Sequence, residues 1–147
     1  MKKIVFTWAL LLLGFSATAQ HTENLLNNYI SIKDALVSGD SKMASQATST
    51  LYQSLKNEEN FEEKTELLKA VEKLNKANDI EKQRTVFNDV STVMWKLIKR
   101  ADKIDQPVYY EYCPMKKAYW LSKDKEIRNP YYGSSMLTCG KVTETKE

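Results

Sequence analysis

One histidine, two cysteines, three prolines and four glycines are all that 147 residues hold of the residue types on which most metal, phosphate and disulfide chemistry depends. A single histidine excludes a three-histidine metal site, and the shortage of glycine argues against loops that cradle phosphate with bare backbone. Two cysteines exclude a disulfide-dense miniprotein, and the same scarcity of glycine and proline excludes collagen-like and low-complexity chains. No Glu-x-x-His pair, serine elbow or Cys-x-x-Cys occurs. A di-metal carboxylate bundle, a serine hydrolase and a thiol oxidoreductase therefore have no motif to rest on, and the chain reads as a non-enzyme.

What is present begins with an address. Lys2 and Lys3 precede an apolar stretch from Ile4 to Phe15, and Ala17-Thr18-Ala19 supplies small residues in the A-x-A pattern. This is the layout of a secretory signal peptide over residues 1–19, cut before Gln20. The apolar stretch is too short to span a bilayer core of roughly 30 Å, so no membrane insertion is expected. The expectation is an exported, soluble, periplasmic protein. Loss of Lys2 and Lys3 takes the formal charge from +3 to about +1, which removes the electrostatic case for a nucleic-acid partner. His21 then stands beside the new N-terminus, where a disordered end is expected.

The next eighty residues carry helical periodicity. Leu25, Tyr29, Ile32 and Leu36 recur on one face, Ser38-Gly39 ends the run, and Asp40 can cap a second helix. Ala44, Ala47, Leu51 and Leu55 stripe that second helix. Asn60 with Glu63 resembles a capping box opening a third, striped by Leu67, Val71 and Leu74. Asp79 can cap a fourth, striped by Phe87, Val90, Met94, Leu97 and Ala101, with Arg84 beside the stripe available to a carboxylate such as Asp34 or Glu66. Short connections make neighbours antiparallel, so the expected fold class is all-α: an up-down four-helix bundle over about residues 22–104. Residues 105–140 are expected as an irregular aromatic, cysteine- and methionine-containing subdomain with room for one short hairpin, and 141–147 as a disordered tail. The whole of 20–147 reads as one domain.

Composition changes at Pro107. Six of the eight tyrosines lie between Tyr109 and Tyr132, and every proline and both cysteines lie between Pro107 and Cys139. Pro107 to Tyr112 alternates enough for a short strand, and Asn129-Pro130-Tyr131-Tyr132-Gly133 reads as a turn. Cys113-Pro114-Met115 and Met136-Leu137-Thr138-Cys139 place a methionine within three residues of each cysteine. Thiolate and thioether are soft donors that select Cu(I) and similar ions, so Cys113, Met115, Met136 and Cys139 are candidate metal ligands. Trp120 or Tyr112 could cover such a site by cation–π contact. The same two cysteines in an oxidising compartment equally suit a Cys113–Cys139 disulfide, with the methionines packing on aromatics. Both readings stay open on spacing alone.

Tyr112-Cys-Pro-Met115, Ala118-Tyr-Trp-Leu-Ser122, Glu126-Ile-Arg-Asn-Pro-Tyr-Tyr-Gly133 and Met136-Leu-Thr-Cys-Gly140 together resemble the DUF3347 family. Tyr29-Ile-Ser-Ile-Lys-Asp-Ala-Leu36 and Gln83-Arg-Thr-Val-Phe87 look like the helical part of that family. The resemblance implies an exported domain, one also found fused to periplasmic adaptor subunits of copper and silver efflux pumps. It thus implies Cu(I) or Ag(I) as the ion for the four sulfurs and an efflux adaptor as partner. One departure from the family pattern matters. Where members often carry a glycine-containing insertion after Cys-Pro-Met, this chain has Lys116-Lys117, two ammonium groups that disfavour a cation beside them unless they point to solvent.

Overall fold

The computed structural model describes residues 14–147, with side chains from Gln20 onward. The expected leader lies outside the described residues, apart from the helical backbone of 14–19. Four helices come first in the chain: α1 (Gly14–Ser38), α2 (Ser41–Asn57), α3 (Lys64–Asn75) and α4 (Ile80–Arg100). Three strands complete the fold: β1 (Val108–Cys113), β2 (Ala118–Ser122) and β3 (Lys141–Lys146).

The helices start and stop where local chemistry tells them to. Asp40 accepts the Met43 N–H and Asp79 the Lys82 N–H, each at 2.9 Å, satisfying amides that the first helical turn leaves unpaired. Gly39 ends α1 with a φ of 75°, a conformation that a β-carbon disfavours. The third helix differs from its expected capping box: it begins at Lys64, and Glu63 makes no side-chain cap. Glu63 is instead buried and accepts from Arg100 of α4 at 2.8 Å, because a tertiary ion pair outcompetes a local one here.

Each helix packs on the next, and α4 returns to α1. The stripes converge in one core: Leu25, Tyr29, Ile32, Leu36, Leu51, Leu55, Leu67, Val71, Phe87, Val90 and Met94 are all essentially inaccessible to solvent. Removing that much apolar surface from water is the main stabilisation of the bundle. Among the described residues no helix is long and apolar enough to cross a membrane.

The expectation of an all-α fold is corrected by the sheet. Residues 108–146 build three antiparallel strands in the order β2-β1-β3. The β1–β2 hairpin is the short one for which the sequence left room. The stretch expected as a disordered tail, 141–147, instead supplies β3, which pairs Val108 with Lys146 and Tyr112 with Lys141. A bulge between Tyr110 and Glu111 leaves Thr143 as the extra residue, and its hydroxyl donates to the Tyr110 carbonyl at 2.9 Å.

Because side chains alternate along a strand, β1 and β2 present two different faces. Tyr110, Tyr112, Tyr119 and Leu121 share one. Trp95 of α4 stacks on Tyr110 at 4.7 Å, and Tyr110 stacks on Tyr119 at 4.6 Å. The other face carries Glu111, Cys113, Ala118 and Trp120, and the loop 123–140 covers it. Tyr131 meets Trp120 edge-on at 6.1 Å.

The outer edge of β2 is closed by side chains rather than by another strand. The Tyr119 N–H donates to Asn88 Oδ1 at 2.8 Å and the Leu121 N–H to the Tyr29 hydroxyl at 3.0 Å, while the Tyr131 hydroxyl donates to the Tyr119 carbonyl. Tyr29 passes its own proton to Ser91 Oγ at 2.7 Å, and Ser91 donates to the Phe87 carbonyl at 3.1 Å. That one-way chain satisfies every buried donor in it, and it docks the sheet on α1 and α4.

Candidate functional site

Cys113 sits at the end of β1, buried, and Cys139 lies half-buried at the end of the covering loop. The loop is shaped by Asn129, a fully buried polar residue. Its backbone N–H donates to Leu137 and its side-chain amide to the Cys139 carbonyl, both at 2.7 Å, while its Oδ1 accepts the Tyr131 N–H at 2.8 Å. A buried amide is retained only when its groups are paired, and these pairs fix where Cys139 comes back to the sheet.

The two thiols stand 3.6 Å apart, sulfur to sulfur, and both are free. The Cys113 thiol beside it, and then burial, hold the Cys139 thiol above its ordinary range, with the Met115 backbone N–H opposing the rise. Met115 therefore reaches Cys139 through its amide, and Met136 through its carbonyl, which accepts the Cys139 N–H at 3.1 Å. Both methionine side chains face outward, 66% and 38% exposed.

All four candidate sulfur residues thus meet at one corner of the sheet. Of the two covering aromatics expected for them, Trp120 shares the Cys113 face and is fully buried. Tyr112 does not: it lies on the opposite face, tilted against Tyr119 at 4.6 Å, because adjacent strand residues point apart. Lys116 and Lys117 occupy the hairpin turn, with the Lys116 ammonium 5.3 Å over the Tyr132 ring.

The donor set is compatible with a soft ion. With metal–sulfur bonds of about 2.3 Å, two thiolates on one ion stand about 3.8 Å apart at a tetrahedral angle and about 4.6 Å when opposed. The observed 3.6 Å sits near the first value. Among the described residues no three His, Cys, Asp or Glu side chains gather into a metal-binding group, and the Met115 and Met136 thioethers are the further soft donors beside the two thiols in sequence.

One charged residue of this face carries no motif that singles it out in the sequence. Glu111, two positions before Cys113 and across from Trp120, is fully buried, and neither carboxyl oxygen nor the Trp120 indole nitrogen has a hydrogen-bond partner of ordinary length. Burial pushes the Glu111 carboxyl up to about 8, against the opposing pull of Lys33 and the Trp120 N–H, with Asp124 adding to the rise. The available signal is an acid set between tyrosines in an apolar strand, Tyr110-Glu111-Tyr112. Two other expectations also change. His21 is not a loose end but lies in α1 in contact with Glu58, and Arg84 takes neither Asp34 nor Glu66. Asp34 pairs with Lys33 at 2.6 Å and Glu66 with Lys96 at 3.0 Å, while Arg84 binds Glu81 and the carbonyls of Leu36 and Pro130.

No curated protein and no solved structure matches this chain. A family model does: the one described as protein of unknown function, DUF3347, over residues 25–106, from the first buried turn of α1 to the approach to β1. That span is more than half of the chain and contains most of the helical core. This protein belongs to the DUF3347 family.

Proposed function

We propose that this protein is a non-catalytic periplasmic module that binds or carries a soft monovalent ion, Cu(I) or Ag(I), for delivery to a heavy-metal efflux adaptor. The observation that supports it is the meeting of the only two cysteines with two of the few methionines at one corner. The thiols are 3.6 Å apart, and the thioethers are tethered to Cys139 through their backbones and exposed. Cys113 and Cys139 supply the two thiolates, and Met115 and Met136 supply neutral donors that need no deprotonation. Binding displaces the thiol protons, so affinity falls as pH drops. Exposed thioethers suit a carrier, because a partner's sulfurs can reach the ion as these release it.

The test is a competition titration of the reduced protein with Cu(I) against a chelator of known affinity. A 1:1 complex is expected, weakened about a hundredfold or more in Cys113→Ser/Cys139→Ser and about tenfold in Met115→Leu/Met136→Leu. Equal binding by the wild type and the double-serine variant sinks the proposal.

The 3.6 Å separation also favours a second reading, a structural Cys113–Cys139 disulfide in a protein-interaction domain. An external disulfide would accept the two electrons and two protons as the S–S bond forms. Closing a loop of about 25 residues would stabilise the chain by roughly 3 kcal/mol. Intact mass without reductant separates the two: loss of two hydrogens in protein taken from its native compartment supports the disulfide, and two free thiols support the ion carrier.

A further inference from the structure

Where the hairpin turn lies against α4, a surface cleft of about 260 Å³ opens between them. Arg84, Thr85 and Asn88 line it from the helix, Lys116 and Lys117 from the turn, and Tyr131 from the covering loop. Three cations meet here and no carboxylate lines the cleft.

Among the described residues one carboxylate, Glu81, pairs with these cations, and the Lys116 ammonium stands 5.3 Å over the Tyr132 ring. The Arg84 side chain is only 11% exposed, and its one ion pair is with the largely exposed Glu81 at 3.2 Å. Its other bonds go to the carbonyls of Pro130 and Leu36, at 2.9 Å each, which are dipoles without net charge. A guanidinium carries five N–H donors, and these three bonds leave two. Neither Lys116 nor Lys117 has a carboxylate ion-pair partner among the described residues. Lys117 also holds a φ of 53°, the one positive value outside glycine among the described residues. A β-carbon is disfavoured there, and such outliers concentrate where a side chain has a task beyond the turn itself.

We propose that this cleft is a binding site for a small oxyanion, its oxygens received by the spare Arg84 N–H groups and the Lys116 and Lys117 ammonium groups. Convergent cations in a concave site raise the local anion concentration, and charge-assisted bonds to guanidinium are the strong ones. The volume falls below the usual range for larger ligands, which selects an inorganic phosphate or the carboxylate of a small acid. None of the four sulfur residues lines the cleft, although Lys116 follows Met115 directly in the turn.

The full chain is titrated with sodium phosphate, and separately with succinate, at ionic strength held constant with chloride, following backbone amide shifts. Saturable shifts confined to residues 84–88, 116–118 and 131 are expected. The Lys116→Gln/Lys117→Gln variant is expected to bind about tenfold more weakly, with an unchanged circular dichroism spectrum and melting point in chloride alone. Arg84 is left intact because it ties α1, α4 and the loop together. A response to phosphate alone, to succinate alone or to both supports the site and names the oxyanion it prefers. Shifts that do not saturate with either anion, or that the double variant reproduces at the same affinity, overturn it.

Discussion

The helical bundle and the sheet region C-terminal to it are held together by different means. In the bundle, mostly aliphatic stripes meet through short connections around a Tyr29–Phe87 stack at 5.2 Å, and two aspartates cap the helices locally. In the sheet region, aromatic stacks and single hydrogen bonds do the joining, and their partners are far apart in sequence: Tyr29 with Leu121, Arg84 with Pro130, Asn88 with Tyr119. The bundle carries its own instructions, whereas the sheet is completed by contact with the bundle. Its β2 edge would be a bare row of unpaired amides without α1 and α4.

This contrast can be broken by experiment. The largest effect is expected from Trp120→Ala, which empties a fully buried indole site between sheet and loop. A loss of about 3–5 kcal/mol is expected in chemical denaturation, still in one transition because the two regions unfold together. A variant that keeps full bundle stability while losing only the near-ultraviolet aromatic signal would show that the regions are independent.

The next effect is pH-dependent. Glu111 has its folded pKa raised to about 8, above its ordinary value of 4.5, so the folded state binds the proton more tightly than the unfolded one. The stability this contributes is fully present below about pH 4.5 and is lost as pH rises through about 8. Wild-type stability is expected to fall by about 2–4 kcal/mol between pH 4.5 and 9, and Glu111→Gln to remove most of that slope. Parallel slopes for the two proteins would mean that Glu111 is not the group responsible.

Tyr29→Phe removes the hydroxyl that accepts from Leu121 and donates to Ser91. A loss of about 1–2 kcal/mol is expected, with hydrogen exchange accelerated at Leu121 rather than in α2 or α3. The smallest effect is expected from Asp79→Ala, about 1 kcal/mol, confined to the first turn of α4. Exchange that quickens in β2 as much as in α4 would show that even a local cap is felt across the seam.

Much of the bundle was legible in the sequence. The stripes at Leu25–Leu36 and Phe87–Met94, the Gly39 stop and the Asp40 and Asp79 caps all depend on neighbours within one turn, which is where periodicity and propensity operate. The capping box at Asn60 was overruled because Arg100, thirty-seven residues from Glu63, offered that carboxylate a better partner. The strand β3 was illegible for a different reason. Lys141-Val-Thr-Glu-Thr-Lys146 has no apolar face of its own and becomes a strand only because β1 offers an open row of amides and carbonyls. The pairing of scarce methionines with the cysteines was visible as spacing. Glu111 was not, since an acid in a tyrosine-rich strand reads equally well as a solvated side chain.

By itself the sequence determined the Gly39 stop and the Asp40 and Asp79 helix starts, the main buried faces, and that sulfur and aromatic residues are gathered into the last third of the chain. Those are short-range properties, set by a 3.6-residue period, by caps and by composition. Tertiary structure alone decided that a third strand exists, that Cys113 and Cys139 lie 3.6 Å apart, that Tyr112 turns away from them, and that Lys116 and Lys117 meet Arg84 across a cleft. Each of these depends on chain segments brought together from a distance. Their positions come from closing loops against an already buried core, and no local pattern encodes that.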